Sequence, residues 1–299
     1  MKGQDYDEEA IALSISPASR YDKSLPAIEQ AVRRTEELFL RIRLKGEVPI
    51  LEIRSDILPL IHSAAEQELF PLLLSLQAKD DYLYRHPVAV SVISTLLGQW
   101  MDLPENELAM LTVGAHLHNV GIMRLPEAIL TKEGPLDPEE FDLIKKHPLI
   151  GYELLEQTVG VSKRSALIAL QHHERIDGTG YPLRLTGEQT DLLSRIVAVA
   201  DAFHALTCNR SYRNAASYGE ILHQMYFGTI GKFDFNVLRT FMTRLMNAMI
   251  GCEVALSDNR RGKIIMIHPS NPAEPLVQIE HEFVDLSRER AVNMALIIG

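Results

Sequence analysis

The chain has 299 residues, of which 46% are hydrophobic and 23% charged, enough apolar material for one large domain with appendages or for two domains. Its formal charge of −10, with no basic stripe to offset it, excludes broad binding to a nucleic-acid polymer or an anionic membrane, so any anionic ligand must be held by local cations. Two cysteines, Cys208 and Cys252, exclude a disulfide framework and are not spaced as metal pairs; together with an acidic Met1 to Glu9 and no apolar run of membrane-spanning length, they predict a soluble protein in a reduced, cytoplasmic setting.

Residues 1 to about 25 read as a polar lead in which Ala10 to Ile15 alternates as a short strand would. Pro26 opens the first predicted helix, at a position where its missing N–H does no harm. Ile28, Val32, Thr35, Leu38, Phe39 and Ile42 form its apolar stripe, and Gly46 to Pro49 ends it. A second helix is predicted over Ser55 to Gln77, bent or split by Pro59 and Pro71. Residues 1–78 thus read as a helical N-terminal region without catalytic motifs, a regulatory segment that packs on the main domain or receives a partner. From 79 to 250 helix follows helix. The predicted spans are Arg85 to Met101, Glu105 to Val120, Pro138 to Gln157, Ser162 to His173 and Asp191 to Thr207, with two more between Tyr218 and Ile250. After Gly251 the pattern changes. Val254 to Leu256 and Gly262 to Ile267 flank the turn residues Ser257-Asp258-Asn259 as a hairpin would, and Pro275 to Ile279 and Val292 to Ile298 are further candidate strands. The expected fold class is mainly α: a helical bundle with a helical N-terminal region and a small C-terminal β appendage, residues 251–299, that leans on the bundle because fifty residues of sheet are marginal alone.

The polar residues that a helical bundle should not bury cheaply gather in the middle of the chain. His172 and His173 stand before a loop with Gly178, Gly180 and Pro182, so the backbone must leave a helix and turn sharply just after the imidazole pair. Asp201 lies on the apolar stripe of the following helix, costly to bury unless a cation or donors meet it. His86, His118, Asn119 and His147 likewise sit on apolar faces or at ends of predicted helices. Singly, each is better read as a capping or satisfied core group. Together, five imidazoles and a carboxylate from successive helices are how bundles build di-metal sites, and this donor set suits iron, manganese, zinc or nickel rather than magnesium or calcium.

These residues fall in motifs. They are His118-Asn119-Val120-Gly121 followed by Leu125-Pro126 and Ile129-Leu130; Lys146-His147-Pro148 with Gly151; and His172-His173-Glu174 through Asp177-Gly178-Thr179-Gly180-Tyr181-Pro182. Arg195 through Asp201 to Ala205-Leu206-Thr207 and Arg210-Ser211-Tyr212-Arg213 complete the set. Over roughly residues 80 to 250 the chain resembles the HD-GYP domains, a branch of the HD superfamily of metal-dependent phosphohydrolases that hydrolyse cyclic di-GMP. The resemblance implies an HD-domain bundle in which His86, His118 and Asp201 hold one metal and His147, His172 and His173 a second. It implies Lewis-acid activation of a phosphodiester by those ions, with His118, Asn119 and Asp201 at catalytic positions. It further implies that Arg210 and Arg213 grip the ligand's phosphates, that Gly180 and Tyr181 border the pocket, and that the loop Asp177, Gly178, Thr179, Gly180, Tyr181 and Pro182 contacts diguanylate-cyclase-type partners.

The departures from the family pattern are equally specific. Asn119 stands where the family has a metal-bridging aspartate, and a neutral amide oxygen is a poor bridge between two dications. Ile122 stands where a lysine is expected, Tyr82 where some members carry a glutamate that supports a third metal, and His204 where an aspartate is frequent. Two readings follow. In the preferred one the chain is a cyclic di-GMP signalling protein that keeps the fold and most metal ligands, with catalysis weakened or lost through Asn119 and Ile122. In the other it is an active metal-dependent cyclic di-GMP phosphodiesterase; hydrolysis of a related phosphodiester is a weaker third. One or two divalent transition ions, or none, are compatible with these substitutions.

Overall fold

A computed structural model describes residues 25–77, 81–132, 134–208, 218–289 and 292–297. The predicted strand at Ala10 to Ile15 lies outside the described residues, as do Arg210 and Arg213. The axis of the molecule is α5 (Tyr82–Trp100), which is buried on every side from Arg85 to Gly98. A helix apolar all round must sit inside others, and around it pack α1 (Leu25–Lys45), α3 (Leu58–Ala65), α6 (Glu105–Leu117) and α11 (Leu192–Thr207). Its serine and threonine hydroxyls are hydrogen-bonded except that of Ser94, which is buried with no hydrogen-bond partner among the described residues. Ser91 donates to the Val88 carbonyl, Thr95 to that of Ser91, and Thr95 and Thr112 share a hydrogen bond of 2.8 Å between α5 and α6. Arg85, 1% exposed, donates to both oxygens of Asp81 and to Glu29 of α1, so its buried charge is matched and α1 is tied to the start of α5.

Pro59 and Pro71 act as expected of residues without an N–H. The predicted span Ser55 to Gln77 is a series of pieces: α2 (Ile50–Glu52), a π-helical turn Ile53–Ile57, α3 with Pro59 in its first turn, and α4 (Leu69–Ser75) with Pro71 in its first turn. The same rule divides the predicted helix Pro138 to Gln157. α8 (Pro138–Ile144), opened by an Asp137 and Glu140 capping box, stops before α9 (His147–Glu156), because Pro148 cannot donate back to the Ile144 carbonyl. Between α6 and α8 lie a 3-10 turn, Val120–Arg124, and the short α7 (Glu127–Leu130). α10 (Lys163–Gln171) is capped by Ser162 and α11 by Asp191, whose N–H is held by Gln171 and whose carboxylate is held by Arg164. α12 (Tyr218–Tyr226) and α13 (Phe235–Ala248), the latter capped by Asp234, complete the bundle.

The C-terminal residues form one antiparallel sheet in the order β4-β3-β2-β1-β5, with β1 (Glu253–Leu256), β2 (Arg261–His268), β3 (Asn271–Ile279), β4 (Glu282–Asp285) and β5 (Met294–Ile297). β4 is not among the candidate strands, because its two apolar residues, Phe283 and Val284, are adjacent and give no alternation. Val254, Leu256, Ile264 and Val277 are buried, and the sheet packs against α12 and α13, so its core is continuous with that of the bundle. Among the described residues no helix is long and apolar enough to cross a membrane.

Candidate metal centre

One close backbone contact sets the frame of the site. A Cβ on Gly121 would lie 2.1 Å from the His147 carbonyl oxygen and 2.6 Å from the Gly151 nitrogen, so only glycine lets the 3-10 turn after α6 press on the first turn of α9. That contact brings His118, at the C-terminal end of α6, next to His147, the first residue of α9. His172 caps the C-terminus of α10, His173 follows it, His86 comes from the early turns of α5 and Asp201 from the middle of α11. The side chains form two adjacent triads. Ligand atoms of His86, His118 and Asp201 lie within 4.8 Å of one another, and so do those of His147, His172 and His173. The His118 and His172 rings, 4.9 Å apart, join the triads.

Helix ends supply what aims the imidazoles. The last carbonyls of a helix have no partner within it. His118 Nδ1 lies 2.7 Å from the Ala115 carbonyl, and His172 Nδ1 3.0 Å from that of Ala169. The Ile144 carbonyl, left without an N–H by Pro148, is met by His147 Nδ1 at 2.8 Å. A carbonyl only accepts, so each Nδ1 carries the hydrogen and each Nε2 is left with a lone pair aimed into the pocket. There His147 Nε2 and His172 Nε2 face each other at 3.2 Å, and His118 Nε2 is buried with no hydrogen-bond partner. Lone pairs held this close with no donor between them are what a divalent transition ion satisfies, so the donor set fits one.

Asp201, 6% exposed, faces both triads. Its Oδ1 is 3.0 Å from His86 Nε2 and 3.8 Å from His118 Nε2, while Oδ2 is 3.8 Å from His173 Nδ1. Burial pushes its pKa up, but the close His86 ring and the other facing imidazoles outweigh that, and the group stays a carboxylate, well below the usual range. Burial drives the imidazoles the other way. It holds His118 at about 3 and His147 at about 4, and keeps His172 and His173 neutral as well. Neutral imidazole with ionised carboxylate is the protonation state a metal needs.

The glycine loop is fastened to the same helix end. Glu174, 3% exposed, accepts from the Leu183 N–H at 2.7 Å and the Leu185 N–H at 3.0 Å. Gly180 sits so close to His173 and Glu174 that a Cβ would lie 2.5 Å from the His173 carbonyl oxygen. Tyr181 donates its N–H to that carbonyl and stacks its ring on His173, centroids 4.6 Å apart, while Asp177 accepts from the N–H and hydroxyl of Thr179. Sequence reasoning gave Glu174 no role beyond its motif; a buried carboxylate nine and eleven residues before two loop amides leaves no local signal. Replacing Glu174 with alanine leaves both amides unmatched. Stability is expected to fall by about 3 kcal/mol, read by urea unfolding, with faster hydrogen exchange at Leu183 and Leu185.

The substituted positions also have definite places. Asn119 is half-buried, with its Oδ1 wholly buried and without a donor. Ile122 packs on the apolar core. Tyr82 stacks on His86 with centroids 4.9 Å apart, and His204 is buried beside His86.

Comparison with known proteins agrees with this geometry. A family profile described as HD domain matches residues 71–237. A cyclic di-GMP phosphodiesterase of Pseudomonas aeruginosa is 35% identical over 207 residues, covering 69% of this chain and 50% of that protein. A cyclic di-GMP phosphodiesterase response regulator of Xanthomonas campestris is 42% identical over 141 residues, covering 46% of this chain and 36% of that protein. The chain therefore spans about half the length, or less, of these curated relatives. Among solved structures, a HDG"Y"P protein from Bdellovibrio bacteriovorus shares the fold with a TM-score of 0.58 at 21% identity, covering 80% of this chain and 77% of that one.

Proposed function

The chain belongs to the HD-domain family, and from that premise we propose that it is a cyclic di-GMP signalling protein of the HD-GYP type whose two triads hold one or two divalent ions and whose catalysis is weakened. The observation that carries this reading is the pair of triads with Nε2 lone pairs fixed inward by Nδ1 donation to helix-end carbonyls. Bound there, iron, manganese, nickel or zinc supplies Lewis acidity toward the phosphate oxygens of cyclic di-GMP or a related phosphodiester. The chain's own residues do the rest. Asp201 contributes the negative charge, Tyr181 on its glycine loop walls the pocket beside His173, and Arg210 and Arg213 grip phosphate.

Weakening follows from charge. Asn119 offers a neutral oxygen where an anion would draw two cations together, and Ile122 brings a core-packed alkyl group where a cation would meet phosphate. One observation favours the active phosphodiesterase instead: the two oxygens of Asp201 point to different triads, so a single carboxylate can serve both. Elemental analysis of protein purified without chelator, paired with cyclic di-GMP turnover in added manganese or iron, separates the two. Two ions per chain with ready turnover establishes the enzyme; tight cyclic di-GMP binding without turnover establishes the sensor; neither metal nor nucleotide binding overturns both. Asn119→Asp is expected to raise metal affinity by about tenfold, 1.4 kcal/mol, and to raise turnover with it; equal metal content in the two proteins would show that Asn119 is not the lesion. The loop Asp177 to Pro182 is the proposed contact for diguanylate-cyclase-type partners, and residues 1–78 the proposed regulatory region, with 251–299 as a β appendage that leans on the bundle.

A further inference from the structure

We infer that His204 is a positioning residue for His86, and that through it the Leu76 carbonyl, in the turn after α4, decides which nitrogen of His86 faces the metal pocket. The inference rests on the metal-binding reading above for its consequence, but not for its geometry.

The argument is a chain of forced donors. The Leu76 carbonyl can only accept, and it lies 2.9 Å from His204 Nε2, so that nitrogen carries the hydrogen. His204 is 1% exposed, and with its hydrogen committed to the Leu76 carbonyl its Nδ1, facing a second imidazole and not a carboxylate, has a lone pair. That lone pair is 2.8 Å from His86 Nδ1, which must therefore be the donor. His86 Nε2 is then free to offer a lone pair to the pocket, where it meets Asp201 Oδ1 at 3.0 Å. A lone pair and a carboxylate oxygen that close are what a bound cation would satisfy. The opposite tautomer of His204 would set a lone pair against the Leu76 carbonyl. It would also send the hydrogen of His86 to Nε2, where it would bond to Asp201 and close the first triad to metal. Tyr82 stacked on His86 and the Cys208 sulfur 3.5 Å from His204 Nε2 hold the two rings in place.

A carboxylate in this position would also accept from His86, but it would bring charge and could not donate to Leu76. Histidine passes on the orientation without charge and adds a tether to the N-terminal region. The role carries a metal-affinity signature that packing alone would not give. Leucine at 204 fills the buried space but accepts nothing; aspartate restores the acceptor at the cost of a buried charge. If His204 only packs, His204→Leu should bind metal as well as or better than His204→Asp. If it positions His86, the order reverses.

Metal-free protein and both variants would be titrated with cobalt(II), following visible absorbance and ions bound per chain. The expected result is affinity at one of two sites about 10- to 100-fold weaker in His204→Leu and within a few-fold of wild type in His204→Asp. Wild-type affinity in His204→Leu, or weaker binding in His204→Asp than in His204→Leu, overturns the assignment. Nitrogen-15 NMR of the histidine rings in metal-free wild type gives an independent answer: hydrogen on His86 Nδ1 and on His204 Nε2 is expected, and hydrogen absent from either overturns it. Wild-type protein that takes up no cobalt would defeat the metal-binding reading, while the ring tautomers would still decide this one.

Discussion

Replacing Asp201 with asparagine is expected to weaken metal binding at the His86 and His118 triad by more than about 100-fold, a larger loss than removal of an outer hydrogen bond to a ligand. Asp201 supplies the carboxylate among six candidate ligands, and asparagine keeps its size while discarding its charge. The effect reads out as stability. A metal present at 100 times its Kd stabilises the folded state by about 2.7 kcal/mol, and a 100-fold loss of affinity leaves about 0.4 kcal/mol. Calorimetry with and without added manganese should show that metal raises the wild-type Tm by about 5 °C more than that of the variant. The same rise in both proteins would remove Asp201 from the ligand set.

Acid should unfold the protein at a pH where most acidic proteins are still folded. Burial holds His116 and His204 at about 3, His118 at about 3 and His147 at about 4, against about 6.5 in an unfolded chain. The sign follows from proton counting: below pH 6.5 the unfolded chain takes up protons that the folded one refuses, so stability is full above 6.5 and falls as the pH drops toward the folded values. Asp201, held low in the fold, adds to the loss in the same direction as the pH falls through the carboxylate range. Two pH units below 6.5, each such histidine costs up to about 2.7 kcal/mol. Two or three of them together cost about 5–8 kcal/mol, comparable with the lower half of the usual stability range of about 5–15 kcal/mol, so circular dichroism should show a midpoint between about pH 4 and 5. Bound metal should move that midpoint down, because it competes with protons for the same nitrogens. A fold unchanged at pH 4 would mean that water reaches these rings. His116 gives a local check, since it packs edge-on against Phe39 with neither nitrogen partnered, and His116→Leu should lower the midpoint.

Much of this protein is legible without coordinates, for identifiable reasons. The stripes of α1, α5 and α11 follow from helical periodicity, and the prolines at 59 and 71 mark breaks because a missing N–H is a local fact, whereas the predicted span Pro138 to Gln157 runs through the break at Pro148. The membership of the two triads is what the family resemblance implies. Boundaries that depend on distant partners are not legible: the end of α6 at Leu117 rather than Val120 reflects the 3-10 turn that Gly121 seats against α9.

Sequence alone establishes the helical class, the sheet at the C-terminus, the candidate ligands and the amide at position 119, because each is written in local pattern or residue identity. Only the tertiary structure decides how the imidazoles of the two triads are aimed, that Asp201 reaches toward both, that Glu174 pins the glycine loop and that His204 links Leu76 to His86. Those are facts about which orphan carbonyl or amide lies within about 3 Å of which side chain, and atoms 118 or 128 residues apart in the chain meet only when the core has packed.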